Sequence, residues 1–278
     1  MKLSHGIDAI MLDKFLRFWY HILQGEIEFM KALITGGTSG IGLCIADELL
    51  KRGYEVKVIS RKEGDLPSLR KKYPNGKIDF SSYDLVKEEE CYRLLDDTKE
   101  EDYDLFVNNA GYGDIGRITE TSLEKEVNML KLNDIATLIL VKSYLLRFIE
   151  KGKGRVLTVA SAAAFGVAPY MNVYYASKAF VYSLAHGYYR ELKDMKSKVT
   201  ISVLCPGPVK TRFEEVANAK FNISSLQADK VAAYAVKKTL KGKLEIVPGF
   251  KIKCGHVFAH FVPKKFISKV LRKQSEMK

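Results

Sequence analysis

The sequence has few of the residues that mark secreted, metal-binding or membrane-spanning proteins. Its four cysteines lie far apart, and no two of them have the spacing of a metal site or a redox pair. No apolar run reaches the roughly 20 residues that a spanning helix needs. We therefore predict a cytoplasmic protein with reduced thiols, without a bound metal and without a classical transmembrane helix.

The excess of positive over negative charge is concentrated near the end of the chain. The formal net charge is +12, but residues 230–278 hold 13 Lys or Arg and two acids, a net charge of +11. The rest of the chain is nearly neutral. This distribution argues against a nucleic-acid partner, because such proteins spread basic residues over the binding face of the domain.

Residues 1–29 lack the basic start and the cleavage site of a secretory signal. Apolar residues recur there at helical spacing between Ile10 and Leu23. Three interpretations stay open for this N-terminal extension. It is an interfacial amphipathic helix, an added packing element, or the product of a start codon assigned too early, since Met30 directly precedes the first predicted strand.

Segments typical of strands and helices alternate from Lys31 to Pro248. The predicted strands Lys31–Thr35, Glu55–Ser60 and Thr200–Leu204 are short and apolar. Alternation of this kind indicates one parallel sheet covered by helices on both faces. We predict the α/β class, with a Rossmann-type doubly wound sheet of about seven strands in a single domain over residues 30–249.

A glycine-rich turn, GGTSGIG, follows the first predicted strand and precedes a helix. Such a turn lets backbone amides and a helix N-terminus receive a pyrophosphate, and side chains at Gly36, Gly40 and Gly42 would block that approach. A structural β-to-α turn explains the same pattern. The turn alone therefore does not decide between a cofactor site and a simple connection.

The end of the second predicted strand carries no acid. NAD-selective dinucleotide folds place an Asp or Glu there for the ribose 2′-hydroxyl, whereas an Arg accommodates the 2′-phosphate of NADP. This chain has Ser60, Arg61 and Lys62 instead. We predict NADP over NAD, the alternative being a solvated basic turn.

The segment 156–178 carries the predicted chemistry. A buried strand, Val156–Val159, ends close to Ser161, and a helix begins near Tyr174 and Tyr175. Lys178 follows Tyr174 by four residues, so the two share a helix face. A nearby ammonium would lower the phenol pKa and make Tyr174 a general acid, although a helix can carry such a pair by chance.

Residues in three further places of the chain are candidates. The third predicted strand ends at Asp84 and Leu85, where the Asp faces an adenine amino group or caps the next helix. Asn108–Gly111 follows the fourth strand, at the edge where doubly wound sheets bind ligands. Asn133 lies inside a long predicted helix from about Ser122 to Glu150, which favours a local distortion or a buried hydrogen bond.

Six motifs occur in the order and spacing of one enzyme family: TGGTSGIG (35–42), NNAG (108–111), Asn133, Ser161, YYASK (174–178) and PGPVKT (206–211). Together they resemble the classical short-chain dehydrogenases/reductases over about Met30 to Pro248. The resemblance implies that Tyr174 donates the proton, that Lys178 lowers its pKa and binds the nicotinamide ribose, and that Ser161 orients a carbonyl. It also implies that Asn133 holds a water that links Lys178 to solvent.

The resemblance also implies a cofactor set. Arg61 would bind the 2′-phosphate of NADP, since the basic residue that some NADP-using members carry in the turn is Ser39 here. The pyrophosphate would meet the glycine-rich turn, and Asp84 and Asn109 the adenosine half. The predicted cofactor-binding residues are Gly36, Thr38, Ser39, Gly40, Ile41, Gly42, Ser60, Arg61, Asp84, Leu85, Asn109, Ala110, Gly111, Tyr174, Lys178, Pro206, Gly207, Val209 and Thr211.

The predicted function is therefore NADP-dependent hydride transfer between NADPH and a carbonyl or alcohol. A predicted lid over residues 212–225 contains apolar side chains, which indicates either an apolar substrate or a loop that buries these side chains only to pack on the domain. The resemblance implies a homo-oligomer, a dimer or tetramer, built on the two long helices that begin near Ser122 and Tyr175. The alternatives are a non-catalytic NADP-sensing relative and a membrane-surface binding protein.

The tail, residues 250–278, combines aromatic and basic residues. Pro263 is predicted to divide it into two short helices, the second amphipathic with a basic face. One interpretation is a terminal helix packed on the domain with its lysines in water. The other is an interfacial segment that makes peripheral contact with anionic membranes.

Overall fold

The structure is a computed structural model that describes residues 29–211, 213, 225–259 and 261–272. The chain divides into two compact units, residues 1–30 and 31–278, and the second contains everything described below. The predictions for the N-terminal extension fall on residues 1–28 and lie outside the described residues. The same holds for the predicted lid, apart from Phe213 and Ser225.

Seven parallel strands form the main sheet, in the order β3-β2-β1-β4-β5-β6-β9. A separate parallel pair joins β7 to β8. The strands are β1 (Lys31–Thr35), β2 (Glu55–Ser60), β3 (Ile78–Ser82), β4 (Leu105–Asn108), β5 (Arg155–Val159), β6 (Thr200–Leu204), β7 (Val209–Lys210), β8 (Leu226–Gln227) and β9 (Glu245–Ile246).

Helices cover both faces of this sheet. One buried cluster joins the sheet to Ile45 and Val231 on one face, and another joins it to Leu94, Tyr144 and Val181 on the other. The doubly wound prediction is confirmed. The helices are α1 (Gly40–Leu50), α2 (Leu66–Lys72), α3 (Glu88–Asp97), α4 (Leu123–Leu130), α5 (Thr137–Lys151), α6 (Asn172–Asp194), α7 (Ala228–Thr239), α8 (Phe250–Ala259) and α9 (Lys264–Arg272).

The sheet reverses its strand order beside β1. This strand pairs with β2 on one side and with β4 on the other, so the connections after β1 and β4 leave in opposite directions. Doubly wound sheets bind ligands in the crevice that opens at this point, beyond the carboxyl ends of the strands. The glycine-rich turn and Asn109 both lie there.

Several predicted boundaries differ from the structure. β3 ends at Ser82, so Asp84 and Leu85 belong to the following loop. The predicted single helix from Ser122 is α4, a π-helical segment over Lys131–Ala136, and α5. Helix α6 begins at Asn172, so Tyr174 lies within its first turn. Propensity alone locates helix ends poorly, because tertiary contacts decide them.

The described part of the tail forms two helices, α8 and α9, that belong to the same compact unit as the sheet. Pro263 lies between them, so the prediction that it divides the tail is confirmed. Among the described residues, no helix combines the length and the apolar character needed to cross a membrane.

Candidate active site

A cleft of about 540 Å³ opens beyond the carboxyl ends of the central strands. Its walls include Ser161, Tyr174 and Lys178, together with every predicted cofactor-binding residue. Asn133 is the predicted site residue that does not line it. The residues that we predicted from the sequence to form the site, apart from Asn133, therefore line one cleft in the structure.

The glycine-rich turn fits closely against the loop after β4. A side chain at Gly42 would put its Cβ 2.3 Å from the Gly36 carbonyl oxygen and 2.4 Å from the Asn109 amide nitrogen. Gly36 has a φ of +65°, and a Cβ there would lie 2.9 Å from the Cα of Ala110. Both positions require glycine because their nearest neighbours include backbone atoms.

Asn109 braces this turn. Its side-chain amide donates to the carbonyl oxygens of Thr35, at 3.0 Å, and Gly36, at 2.9 Å. The Thr35 hydroxyl accepts hydrogen bonds from the backbone amides of Asn109 and Ala110. From the sequence we predicted that Asn109 contacts the cofactor, and we predicted no role for Thr35. In the structure the hydrogen bonds of these two residues connect the end of β1 to the end of β4.

The end of β2 presents polar groups to the cleft. The hydroxyls of Thr38 and Ser60 are 3.2 Å apart and connect the glycine-rich turn to this strand. Arg61 is exposed at the cleft wall. Asp84 also lines the cleft, and its carboxylate accepts a hydrogen bond from the backbone amide of Val86 at 3.4 Å. The next helix, α3, has Lys87 as its N-cap and no side-chain cap, so Asp84 does not cap it, and its contact with adenine stays a prediction.

Ser161, Tyr174 and Lys178 converge from two elements. Ser161 follows β5 and precedes a 3₁₀ turn, Ala162–Phe165, whose Ala163 amide donates to the serine hydroxyl at 3.1 Å. The Ser161 hydroxyl lies close enough to the Tyr174 hydroxyl to act on its pKa. Tyr174 and Lys178 project from the first two turns of α6, and the lysine ammonium donates to the Val159 carbonyl oxygen at 3.2 Å.

Burial sets the charge state of this group. It raises the pKa of Tyr174 to about 12, against the opposing effect of the nearby Ser161 hydroxyl. It also lowers the pKa of Lys178 to about 8. The prediction that Lys178 lowers the phenol pKa is therefore wrong for this structure. The ammonium lies 5.8 Å from the ring centroid and binds Val159, while desolvation acts on the phenol directly.

The π-helical segment turns Asn133 into the body of the protein. Its amide nitrogen donates to the Tyr112 carbonyl oxygen and to the Ser177 hydroxyl, both at 3.0 Å, and its oxygen accepts from the Tyr112 amide at 3.2 Å. Sequence reasoning predicted a distortion or a buried hydrogen bond here, and both occur. The water that Asn133 is predicted to hold stays a prediction.

Asp134 acts on the charge of Lys178 from outside the cleft wall, and sequence reasoning missed it. One of its carboxylate oxygens is buried with no hydrogen-bond partner. Burial raises its pKa to about 6, and the charge of Lys178 opposes that rise. The carboxylate in turn raises the pKa of Lys178 against the desolvation of the ammonium. One feature of the sequence could have indicated Asp134: it is a second polar residue next to Asn133, in a predicted helix with periodic apolar residues.

Apolar side chains complete the end of the cleft beyond Tyr174. The Phe213 ring lies 5.4 Å from the Tyr174 ring, centroid to centroid, and Met171 and Tyr175 lie beside them. Two tail residues, Ile252 of α8 and Leu271 of α9, also line the cleft. Sequence reasoning missed both, because a contact between the tail and the central segment leaves no local pattern.

Residues 30–222 match the family described as short chain dehydrogenase. An uncharacterized oxidoreductase of Staphylococcus saprophyticus is 32% identical over 191 residues, which cover 67% of this chain and 81% of that protein. The very-long-chain 3-oxoacyl-CoA reductase of Caenorhabditis briggsae is 28% identical over 217 residues, 72% of this chain and 68% of that protein.

Two solved structures share the fold. A short-chain dehydrogenase from Sphingobium yanoikuyae, in complex with NADPH, has a TM-score of 0.76 at 21% identity and covers 90% of this chain and 99% of its own. A short-chain dehydrogenase/reductase from Burkholderia phymatum, in complex with NAD, has a TM-score of 0.76 at 20% identity, with 91% and 99% covered. The family match extends over most of the sheet, and the chain belongs to the classical short-chain dehydrogenase/reductase family of oxidoreductases.

Proposed function

We propose that this protein is an NADP-dependent reductase of apolar aldehydes or ketones, with Tyr174 as its general acid. One observation carries the proposal. Ser161, Tyr174 and Lys178 line the same cleft as the glycine-rich turn. A carbonyl oxygen that accepts hydrogen bonds from both hydroxyls would lie in the same cleft as a bound dinucleotide.

The residues of the cleft fit a nicotinamide dinucleotide. The turn around Gly36 and Gly42 has no room for side chains, so only backbone faces the ligand there. Helix α1 begins at Gly40, and its N-terminus favours an anion such as a pyrophosphate. When bound, the cofactor supplies or accepts the hydride.

The state of Tyr174 favours reduction. With a pKa of about 12, the phenol stays protonated at neutral pH and can donate its proton to a carbonyl oxygen. Ser161 stabilises the charge that develops on this oxygen. Lys178, with a pKa of about 8, is charged at neutral pH and provides a positive potential below the site. The reverse reaction needs a tyrosinate, which burial disfavours.

The choice of NADP rests on Arg61. Its side chain is exposed at the end of β2, where no acid stands to bind a ribose 2′-hydroxyl. A guanidinium at this place suits a 2′-phosphate. The solved relatives bind NADPH in one case and NAD in the other, and the residues at this strand end are what favours NADP here.

The substrate class rests on the apolar end of the cleft. Phe213, Met171 and Leu271 offer hydrocarbon surface beyond the Tyr174 hydroxyl. The nematode relative is named for a very-long-chain acyl substrate, which agrees with an apolar pocket in this family. We include long-chain ketones and aldehydes in the proposal on this basis.

Exposed apolar residues support the predicted homo-oligomer. Leu123, Val127 and Leu130 are exposed on α4, Leu146 on α5 and Phe180 on α6. Apolar surface on adjacent long helices suits a self-complementary dimer interface. Measurement of the mass in solution, with a Leu146→Glu variant expected to be monomeric, tests this assembly; an unchanged mass would exclude α5 from the interface.

The test of the proposed function compares two adjacent tyrosines. Tyr174→Phe should lower the rate of NADPH oxidation with a medium-chain ketone by about 10²- to 10⁴-fold, because it removes the donated proton. NADPH binding, followed by fluorescence titration, should persist. Tyr175→Phe is the matched control and should stay within about twofold of the wild-type rate.

Two outcomes would contradict the proposal. Equal losses in the two variants would show that Tyr174 is not the acid. Tight NADPH binding without turnover of any carbonyl by the wild-type protein would instead support a cofactor-sensing relative.

A further inference from the structure

The two C-terminal helices expose a group of large apolar side chains. They lie on the outer side of α8, at the turn after it and on one side of α9, and each is between 44% and 82% exposed. We name this group the tail surface: Phe250, Val257, Phe258, Phe261, Phe266 and Val270. Four aromatic rings in so short a segment are costly to leave in water.

Basic side chains border the tail surface. Lys253, Lys264, Lys265, Lys269 and Arg272 are all exposed. Residues 250–272 contain no acidic residue, so this part of the tail has a high local positive charge. The surface therefore suits an apolar partner with negative charge at its boundary.

Helix α9 separates three kinds of side chain. Ile267 and Leu271 face the body, where a Cβ added to Gly166 would lie 2.9 Å from Leu271 Cδ1 and 3.4 Å from Ile267 Cγ2. Phe266 and Val270 occupy the next stripe around the helix, and Lys265 and Lys269 the stripe beyond it. Helices that lie in a membrane interface show this order of apolar and basic stripes.

Helix α8 is fixed to the body on its inner side. The His256 imidazole lies 3.8 Å from the Phe165 ring, centroid to centroid, and its Nε2 is 3.1 Å from the Glu245 carboxylate. Ile252 packs against Gly207, where an added Cβ would lie 2.7 Å from its Cδ1. Docking of the outer side of α8 would thus hold the whole domain in one orientation.

Charge decides which partner covers the tail surface. A second copy of this chain, related by a two-fold axis, would bring two strongly basic tails together, and like charges there repel. An anionic bilayer offers negative headgroups to the lysines and a hydrocarbon boundary to the phenylalanines. The observations therefore favour lipid over self-association at this surface.

The same two helices reach the cleft from their inner side, through Ile252 and Leu271. We propose that the tail surface docks the protein on anionic membranes and that the cleft takes its apolar carbonyl substrate from the bilayer. The first part stands independently of the reaction, and the second rests on the proposed function. Docking would place Ile252 and Leu271, the tail residues that line the cleft, next to the lipid boundary.

Vesicle binding by the full chain tests the docking. Phosphatidylglycerol vesicles should bind the protein at low salt and release it at high salt, and phosphatidylcholine vesicles should not bind it. Lys265→Gln with Lys269→Gln should weaken binding about 25-fold, since each basic residue near the surface adds about fivefold in affinity. The matched control, Lys71→Gln with Lys99→Gln, changes two exposed lysines outside the tail and should bind as wild type.

A fluorophore tests the orientation. Cys254 lies on α8 and is exposed, whereas Cys91 and Cys205 are buried. In a Cys44→Ser background, an environment-sensitive dye on Cys254 should shift to shorter wavelength when anionic vesicles are added. Phe258→Ser with Phe266→Ser should remove the shift and leave the melting temperature unchanged, because both rings are more than half exposed.

Several results would overturn the docking. They are no binding to anionic vesicles at low salt, equal binding to neutral vesicles, equal losses in the tail and control lysine pairs, or a change from dimer to monomer in the phenylalanine variant. The last result would assign the tail surface to self-association.

Activity separates the two parts of the proposal. Anionic vesicles should raise kcat/KM for a long-chain ketone dissolved in them and leave a small water-soluble ketone unaffected. Tyr174→Phe should keep vesicle binding and lose both activities. If binding occurs and the long-chain ketone gains nothing, substrate entry from the bilayer is wrong while docking holds.

Discussion

Two glycines, Gly42 in the wall of the cleft and Gly166 against the cleft residue Leu271, have little room for a side chain, and they differ in what surrounds them. At Gly42 the nearest atoms are the Gly36 carbonyl oxygen and the Asn109 amide, at 2.3 and 2.4 Å from a built Cβ. At Gly166 the nearest atom is a terminal methyl of Leu271, at 2.9 Å. The cofactor end is therefore bounded by backbone that cannot move, and the substrate end by side chains that can.

This difference agrees with the demands on each end. NAD and NADP present the same pyrophosphate to this turn, so a rigid cradle made of backbone and braced by Asn109 suits either cofactor. An apolar substrate is met by Phe213, Ile252 and Leu271, whose rotamers can adapt. We expect substitutions at the first end to abolish binding and substitutions at the second to alter selectivity.

The largest expected effect is at Gly42. Gly42→Ala should abolish detectable NADPH binding and lower the free energy of unfolding by about 1 to 3 kcal/mol, because the methyl group meets a backbone oxygen. Calorimetry and chemical denaturation measure both. Gly187→Ala is the control, since a Cβ there meets nothing within 4 Å, and it should stabilise α6 by about 0.5 to 1 kcal/mol.

Arg61→Ala should have the next largest effect. Loss of a charge-assisted contact to the 2′-phosphate should weaken NADPH binding about 10- to 100-fold and leave NADH binding nearly unchanged. The dissociation constants of both cofactors, measured side by side, check this. Equal weakening of both would show that Arg61 supports the turn rather than the phosphate.

Gly166→Ala should have a smaller effect, which a second substitution can suppress. The methyl group displaces the end of Leu271, so we expect a change of about two- to fivefold in KM for a long-chain ketone and little change in stability. Leu271→Ala in the same chain should restore the space. Asn109→Ala should give no such rescue of Gly42→Ala, because the Gly36 carbonyl remains; rescue at Gly42 would contradict the contrast between the two ends.

Asp134→Asn should have the smallest effect, on the pH dependence. Its carboxylate raises the pKa of Lys178, so its loss should move that pKa below about 8. The charged lysine is present below its pKa and lost above it. The alkaline limb of kcat for carbonyl reduction should therefore move to lower pH, with the neutral plateau kept. An unmoved limb would show that Lys178 does not control it.

Sequence reasoning located the rigid end of the cleft better than the adaptable one. The turn at Gly36 and the pair Tyr174 and Lys178 are local patterns, and β1, β2 and β6 have their predicted bounds. The contact of Leu271 with Gly166 joins residues far apart in the chain, so no window of sequence contains it. The pKa of Tyr174 was predicted in the wrong direction because burial depends on the whole fold.

The π-helical segment over Lys131–Ala136 amounts to one residue more than an α-helix would use for the same path. Each added residue rotates the following side chains by about 100° around the axis. The length of this stretch therefore sets the phase of α5 relative to α4. Deletion of one residue here would release Asn133 from Tyr112 and would also turn the buried face of α5, including Tyr144, away from the sheet, so this stretch should tolerate substitutions far better than changes in length.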